Sequence, residues 1–226
     1  MPILPAGDCR RRHKMPALHV GALSMAQKRN YQKEMEEFFA QNKGRKLLLH
    51  CCCAPCATHC IACVEQEMDT TLYFYNPNIM MREEYEKRLS ELQRYVREAQ
   101  CRIRGVVEGS YDNDFFLRLA AGRELEPEGG ERCRLCISMR LEQTARYAAE
   151  NGYELFGTTL TVSPHKDAEY INTAGRLLSE RYGVEFLPSD FKKKEGFKHS
   201  TEISNKFNLY RQNYCGCRLK ESPQGE

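Results

Sequence analysis

The chain has 226 residues, 12 of them cysteine, and a formal net charge of +3 from 34 Lys and Arg against 31 Asp and Glu. That length supports one large domain whose core needs no disulfide staples, which excludes a secreted cystine scaffold as the reason for the thiols. No apolar run approaches the roughly 20 residues of a membrane span, and so small a net charge excludes nucleic-acid binding by bulk electrostatics alone.

Residues 1–27 carry C-R-R-R-H-K and then an apolar run broken by His19 and Gly21. This makes a poor signal peptide and reads as a disordered leader, or as non-native sequence upstream of a true start at Met25. A reducing cytoplasm is the expected setting, with a single α/β domain over residues 28–220 and a flexible tail over 221–226. A polar helix is predicted over Gln27–Gln41, ended by Gly44. Apolar strand-like runs come next at Lys46–His50, Thr71–Tyr75, a weaker Ile103–Val107, Tyr153–Thr158 and Val184–Pro188. Helix-period segments alternate with them at Cys56–Glu67, Glu83–Gln100, Arg132–Asn151, Ala168–Tyr182 and Ser200–Phe207. The alternation predicts a parallel sheet with helices on both faces. Gly122–Glu131, G-R-E-L-E-P-E-G-G-E, breaks the pattern and reads as an ordered or mobile lid.

The unusual residues fall after the strands. H-C-C-C-A-P-C comes after the first, Y-N-P-N-I after the second, T-T-L-T-V-S-P-H-K after the fourth and P-S-D-F-K after the last. Ligands of open parallel sheets bind outside the carboxyl ends of the strands, so these loops place the active site at that edge. Two runs, Phe191–His199 and Tyr210–Lys220, mix basic and aromatic residues. That composition suits phosphates and unstacked bases, and equally a solvated surface.

C53-A-P-C56 superficially matches a thioredoxin motif, but a dithiol needs two sulfurs and leaves Cys51 and Cys52 without a place. Cys133 and Cys136 open a helix on one face, where the positive helix end favours the metal-binding thiolate. Two thiolates from a loop and two from a helix start make a four-sulfur site, suited by ligand type to zinc or to an iron–sulfur cluster. The vicinal Cys52–Cys53 pair is awkward for one small tetrahedral ion and easier for the separate corners of a cluster. Cys9, Cys51, Cys60, Cys63 and Cys101 read as small buried apolar side chains. Cys215-Gly-Cys217 permits a strained, easily reduced disulfide, or else two further ligands or free thiols.

Taken together the motifs resemble the QueH-type epoxyqueuosine reductases. The matching pieces are L-L-L-H-C-C-C-A-P-C, Y-N-P-N-I with Glu84, Tyr85 and Arg88, R-C-R-L-C-I-S-M-R-L-E-Q-T-A, T-T-L-T-V-S-P-H-K, Asp190-F-K-K with Gly196-F, and L-Y-R-Q-N-Y-C-G-C. They run in order from about Asn30 to Leu219. Cys51, Cys60 and Cys63 are not pattern cysteines, and Met80-Met81 stands where a proline is commoner.

The resemblance implies a Rossmann-like, HUP-type fold and a cobalamin-independent cytoplasmic reductase of the epoxide of epoxyqueuosine at the tRNA wobble base. It implies a 4Fe-4S cluster on Cys52, Cys53, Cys133 and Cys136, an additional iron with Cys56 as candidate ligand, and a redox-active Cys215–Cys217 pair. The partners would be tRNA and an unidentified electron donor. Tyr75, Asn76, Asn78, Arg88, Thr158, Lys166, Lys192, Tyr210 and Arg211 are the candidate substrate-binding residues, expected along a groove for the anticodon stem-loop. Reduction to the alkene takes two electrons and two protons, and His50, Tyr75, His165 and Asp190 are candidate proton sources. A thioredoxin-like oxidoreductase using Cys53 and Cys56 and a zinc-stabilised tRNA-binding module are the alternatives.

Overall fold

The computed structural model describes residues 29–217. The predicted leader, Cys9, the start of the predicted first helix, Lys220 and the predicted tail lie outside the described residues. The first strand, β1 (Lys46–His50), occupies the middle of the sheet. Its Leu47, Leu48 and Leu49 are fully buried, as expected of a strand covered on both faces. Leu47 and Leu49 point into one core layer and Leu48 into the other, the alternation that a strand imposes. The remaining strands are β2 (Asp69–Phe74), β3 (Gly105–Glu108), β4 (Leu155–Thr158) and β5 (Glu185–Phe186). All pair in parallel, in the order β3-β2-β1-β4-β5.

Seven α-helices flank the sheet among the described residues. One layer holds α1 (Tyr31–Gln41), α2 (Ala54–Val64), α3 (Arg82–Glu98) and α7 (Gly196–Lys206), whose apolar faces share the core of Met35, Ile61, Leu89 and Leu72. The opposite layer holds α4 (Asn113–Ala120), α5 (Glu131–Glu150) and α6 (Ala168–Tyr182), packed around Phe116, Leu141, Ile171 and Phe156. Local signals set the ends. Asn30, Asp112 and Asp167 accept hydrogen bonds from the first turns of α1, α4 and α6, Pro55 opens α2, and Gly183, at φ 66°, closes α6 in the left-handed region.

The predicted alternation is present, with three differences. Helix α4 is additional to the predicted elements, and the Asp112 cap and buried Phe116 hold it. Strand β5 spans two residues, not five, because Leu187 makes one last bond to the Phe156 carbonyl (2.8 Å) before Pro188 turns the chain away. Helix α7 starts four residues early, at Gly196, after Glu195 adopts φ 61°. A Cβ on Gly196 would collide with the Phe191 carbonyl oxygen and the His59 ring, so the first position of this helix requires glycine. No described helix is long and apolar enough to cross a membrane.

Strand order positions the site. From β1 the chain moves outward to β2 and β3, then returns to the other side of β1 as β4. The loops after β1 and β4 therefore leave adjacent carboxyl ends in opposite directions, the place where open α/β sheets form a crevice. His50 at the end of β1 ties them together: its Nδ1 lies 2.9 Å from Thr158 Oγ1, and its Nε2 3.1 Å from the Tyr75 carbonyl after β2.

Candidate metal and redox site

Cys52 and Cys53 leave β1, and Cys56 stands in the first turn of α2. Their three sulfur atoms all lie within 4.8 Å of one another, with Cys52 and Cys53 Sγ 3.8 Å apart. The Cys53 and Cys56 thiols hydrogen-bond to Cys52 and hold it well below the usual thiol range. In the same exchange Cys53 is pushed up to about 12 and Cys56 well above its ordinary value. One sulfur of the trio is thus poised as a thiolate, the form that binds metal.

A second set of thiols adjoins it. Cys133 and Cys136, one turn apart at the start of α5, line a small pocket with Cys215, Cys217, Arg132, Arg140 and Lys166. Both helix cysteines are buried, and the Gly129 amide donates to Cys133 Sγ at 3.3 Å. Burial pushes Cys136 up to about 11. The Cys217 thiol bonded to Cys215, helped by Arg140 and Lys166 against the cost of burial, lowers Cys215 to about 6. Gly216 turns between the pair at φ 102°, its carbonyl accepting from the Met80 amide at 3.1 Å. Among the described residues every cysteine is a thiol.

The first set and Cys215 of the second line one cleft of about 310 Å³, whereas Cys133, Cys136 and Cys217 line only the smaller pocket beside it. The cleft walls include Cys52, Cys53, Cys56, Asn76, Asn78, Arg88, Lys166, Arg211 and Cys215, so most of the predicted residues converge. Asn78 is 1% exposed and its amide oxygen has no hydrogen-bond partner, an orphan that a ligand donor would satisfy. Asn76 spends its amide nitrogen on the Cys51 carbonyl at 2.9 Å. The predicted lid sends Glu128 over the cleft, where it pairs with Lys166 at 2.7 Å.

Other predicted residues stand beside the cleft. Tyr75 stacks on Tyr73 in the second core layer. Thr158 is buried and caps the short 3-10 turn over Thr159–Val162 by accepting from the Leu160 amide. Lys192 pairs with Asp190 at 3.2 Å, and Tyr210 donates to Glu84 at 3.0 Å. Arg88 lines the cleft while its guanidinium serves Glu84 and the carbonyls of Tyr214 and Cys215. Among the four candidate proton sources, His165 lines the cleft. Burial, then the Arg140 charge, lowers His50 to about 4, so it is a neutral structural ring near pH 7. Cys60 and Cys51 are fully buried and pushed well up by desolvation, consistent with packing roles.

Sequence reasoning missed Arg140, Phe197 and Gln212, which also border the cleft. The signal for Arg140 was present: it stands seven and four residues after Cys133 and Cys136, on the same face of α5.

Comparison with known proteins gives the same direction. The family model described as Epoxyqueuosine reductase QueH matches residues 47–222. Epoxyqueuosine reductase QueH of Staphylococcus epidermidis is 40% identical over 208 residues, covering 88% of this chain and 87% of the relative. The Streptococcus pyogenes protein of that name is 38% identical, covering 88% and 81%, and the Thermotoga maritima one 35%, covering 76% and 88%. With a match that takes in both thiol sets and the strands that carry them, the chain belongs to the epoxyqueuosine reductase QueH family.

Proposed function

We propose that this chain reduces epoxyqueuosine to queuosine in tRNA, in the cytoplasm and without cobalamin, through a 4Fe-4S cluster held by Cys52, Cys53, Cys133 and Cys136. Cys56 is the candidate ligand of an additional iron. The observation that carries this reading is a three-sulfur group at the switch point of the sheet, joined to the pocket of Cys133 and Cys136 by Cys215, Arg140 and Lys166, which line both cavities. The donor set fits such a group, being all sulfur and largely buried, with Cys52 held toward the thiolate. The strand order supports the Rossmann-like, HUP-type reading of the fold.

The reaction consumes two electrons and two protons, converting the epoxide to an alkene and releasing its oxygen as water. When bound, the metal centre supplies single electrons from a one-electron donor and a Lewis acid for the epoxide oxygen. The chain supplies the rest. Asn78 offers a buried amide oxygen to a donor on the substrate. His165, at the wall, is the candidate proton donor, and Lys166 beside it is paired with Glu128. Arg211 and Phe197 at the rim, with the guanidinium 6.0 Å from the ring centroid, suit a phosphate and an unstacked base. Cys215, facing both cavities, is placed to exchange electrons with the centre as one half of a redox pair with Cys217.

The test is reaction of anaerobically purified, reduced protein with tRNA carrying epoxyqueuosine, read by nucleoside mass spectrometry alongside iron and sulfide analysis. Queuosine formed by an iron- and sulfide-containing protein is the expected result. A colourless protein with one zinc and no turnover would overturn the reading in favour of a tRNA-binding module. Disulfide exchange that needs Cys53 and Cys56 alone would favour a thioredoxin-like enzyme.

A further inference from the structure

Three cations with largely buried side chains border the cleft: Arg88, Lys166 and Arg140. Arg88 is paired with Glu84 and Lys166 with Glu128, each at 2.7 Å. Arg140 differs. It is 2% exposed, its Nε donates to the Cys136 carbonyl at 3.3 Å, and among the described residues no Asp or Glu forms an ion pair with it. A buried guanidinium without an anion is costly, so a compensating charge is expected nearby. The groups around it are sulfur. Arg140 borders the pocket of Cys133, Cys136, Cys215 and Cys217 as well as the cleft with Cys52, and its charge acts on Cys136, Cys215, Cys52 and Cys217. Helix α5 fixes this relation, since Cys133, Cys136 and Arg140 share one face two turns long.

We propose that Arg140 is the counter-cation of the metal–thiolate centre, a positioning residue that offsets the charge of the sulfur ligands and of the electron they receive. The proposal rests on the iron–sulfur reading above and adds to it a residue outside the ligand set. Elementary electrostatics gives it two consequences. Reduction adds negative charge to the centre, so a fixed cation beside it stabilises the reduced state more than the oxidised one and raises the potential. In metal-free protein the charge of the bound centre is absent, so the same cation has less to offset and its loss costs the fold less. Its contribution to stability therefore grows with metal loading.

The experiment compares full-length wild-type, Arg140→Met and Arg140→Lys proteins, purified anaerobically, by melting of metal-free and loaded forms, iron and sulfide content, and midpoint potential. Metal-free Arg140→Met is expected to fall less below the wild-type melting temperature than the loaded variant does. Loaded, it is expected to retain several-fold less iron after a chelator challenge, with a more negative potential in what remains. Arg140→Lys, which keeps the charge, is expected to recover both in part, and it supplies the potential measurement if Arg140→Met retains no cluster. Wild-type iron content and potential in Arg140→Met would overturn the proposal. So would equal destabilisation of its metal-free and loaded forms, the mark of a purely structural residue. A wild-type chain lacking iron and sulfide would overturn the cofactor reading itself, and this proposal with it.

Discussion

Replacing Glu84 with Gln tests how the C-terminal cysteine segment is held. Arg88 Nε and Glu84 Oε1 are 2.7 Å apart, with side chains 3% and 9% exposed. Arg88 also donates to the carbonyls of Cys215 and Tyr214 at 3.2 and 3.3 Å, and Tyr210 donates to Glu84. Glu84→Gln keeps the shape and removes the charge, leaving a buried guanidinium with only carbonyl partners. Breaking a buried pair from one side costs about 3–5 kcal/mol. Because the two carbonyls remain, the low end, about 3 kcal/mol, is expected. At about 2–4 °C per kcal/mol for a domain of this size, the melting midpoint should fall by about 6–12 °C. Circular dichroism melts under reducing, anaerobic conditions measure it, and the double variant Glu84→Met with Arg88→Met should recover most of the loss. The single variant should also free the segment, seen as faster tryptic cleavage at Arg211. A midpoint within about 1 °C of wild type would refute the reasoning, because an uncompensated buried charge cannot be that cheap.

Cys133→Ala should lose iron and activity together, whereas Cys63→Ala, whose thiol burial pushes up to about 11, should keep both; iron analysis decides, and full iron in Cys133→Ala sinks the ligand assignment. Binding of an anticodon stem-loop should weaken with salt at a log–log slope of about −0.7 per phosphate. Arg211→Ala should flatten that slope more than Lys192→Ala, since Lys192 already neutralises Asp190; equal effects would count against the cleft-rim site. The double variant Cys215→Ala with Cys217→Ala should keep its iron and turn over poorly. In wild-type protein, alkylation before and after reductant should differ by two groups in that peptide, and an unchanged pattern with normal turnover in the double variant would leave the pair without a redox role.

The sheet was legible because β1 is a short run of leucines ending in polar and sulfur residues, and because helical and strand periods alternate after it. The loops at the strand ends were legible for the same reason, and their Asn76, Asn78 and Lys166 reach the cleft, as does Arg211 from the C-terminal segment. Direction within a loop was not legible. Tyr75 and Asn76 are the first and second residues after β2, yet the Tyr75 ring stacks in the second core layer while Asn76 lines the cleft, a choice made by the pleat and by Tyr73. Lys192 and Tyr210 looked like substrate contacts by composition, but each found a carboxylate: Lys192 the local Asp190, two residues before it, and Tyr210 the distant Glu84 that tertiary packing brought close. Arg140 was overlooked for the converse reason. A cation on a helix face reads as solvated until the fold shows what covers it, and here the cover is the sheet edge and two sets of thiols.

The distribution of charge around the cleft separates two tasks by residue. Toward the lid and the C-terminal segment, Lys166 and Arg88 are neutralised by Glu128 and Glu84, so that wall is structured and electrically quiet. At the rim, Arg211 donates to the Ser204 hydroxyl and lies over Phe197, available to a polyanion. At the inner wall the unpaired charge of Arg140 falls on sulfur. A rim cation acts on phosphates through water and is screened by salt, whereas a buried one acts over a short, poorly screened path. Substitutions at Arg211 should therefore change affinity and its salt dependence while leaving the metal centre alone. Substitutions at Arg140 should change the metal centre while leaving the salt dependence of RNA binding alone. If the same centre both anchors and reduces the substrate, that separation is what allows a large polyanion to be bound without shifting the potential at which its base is reduced.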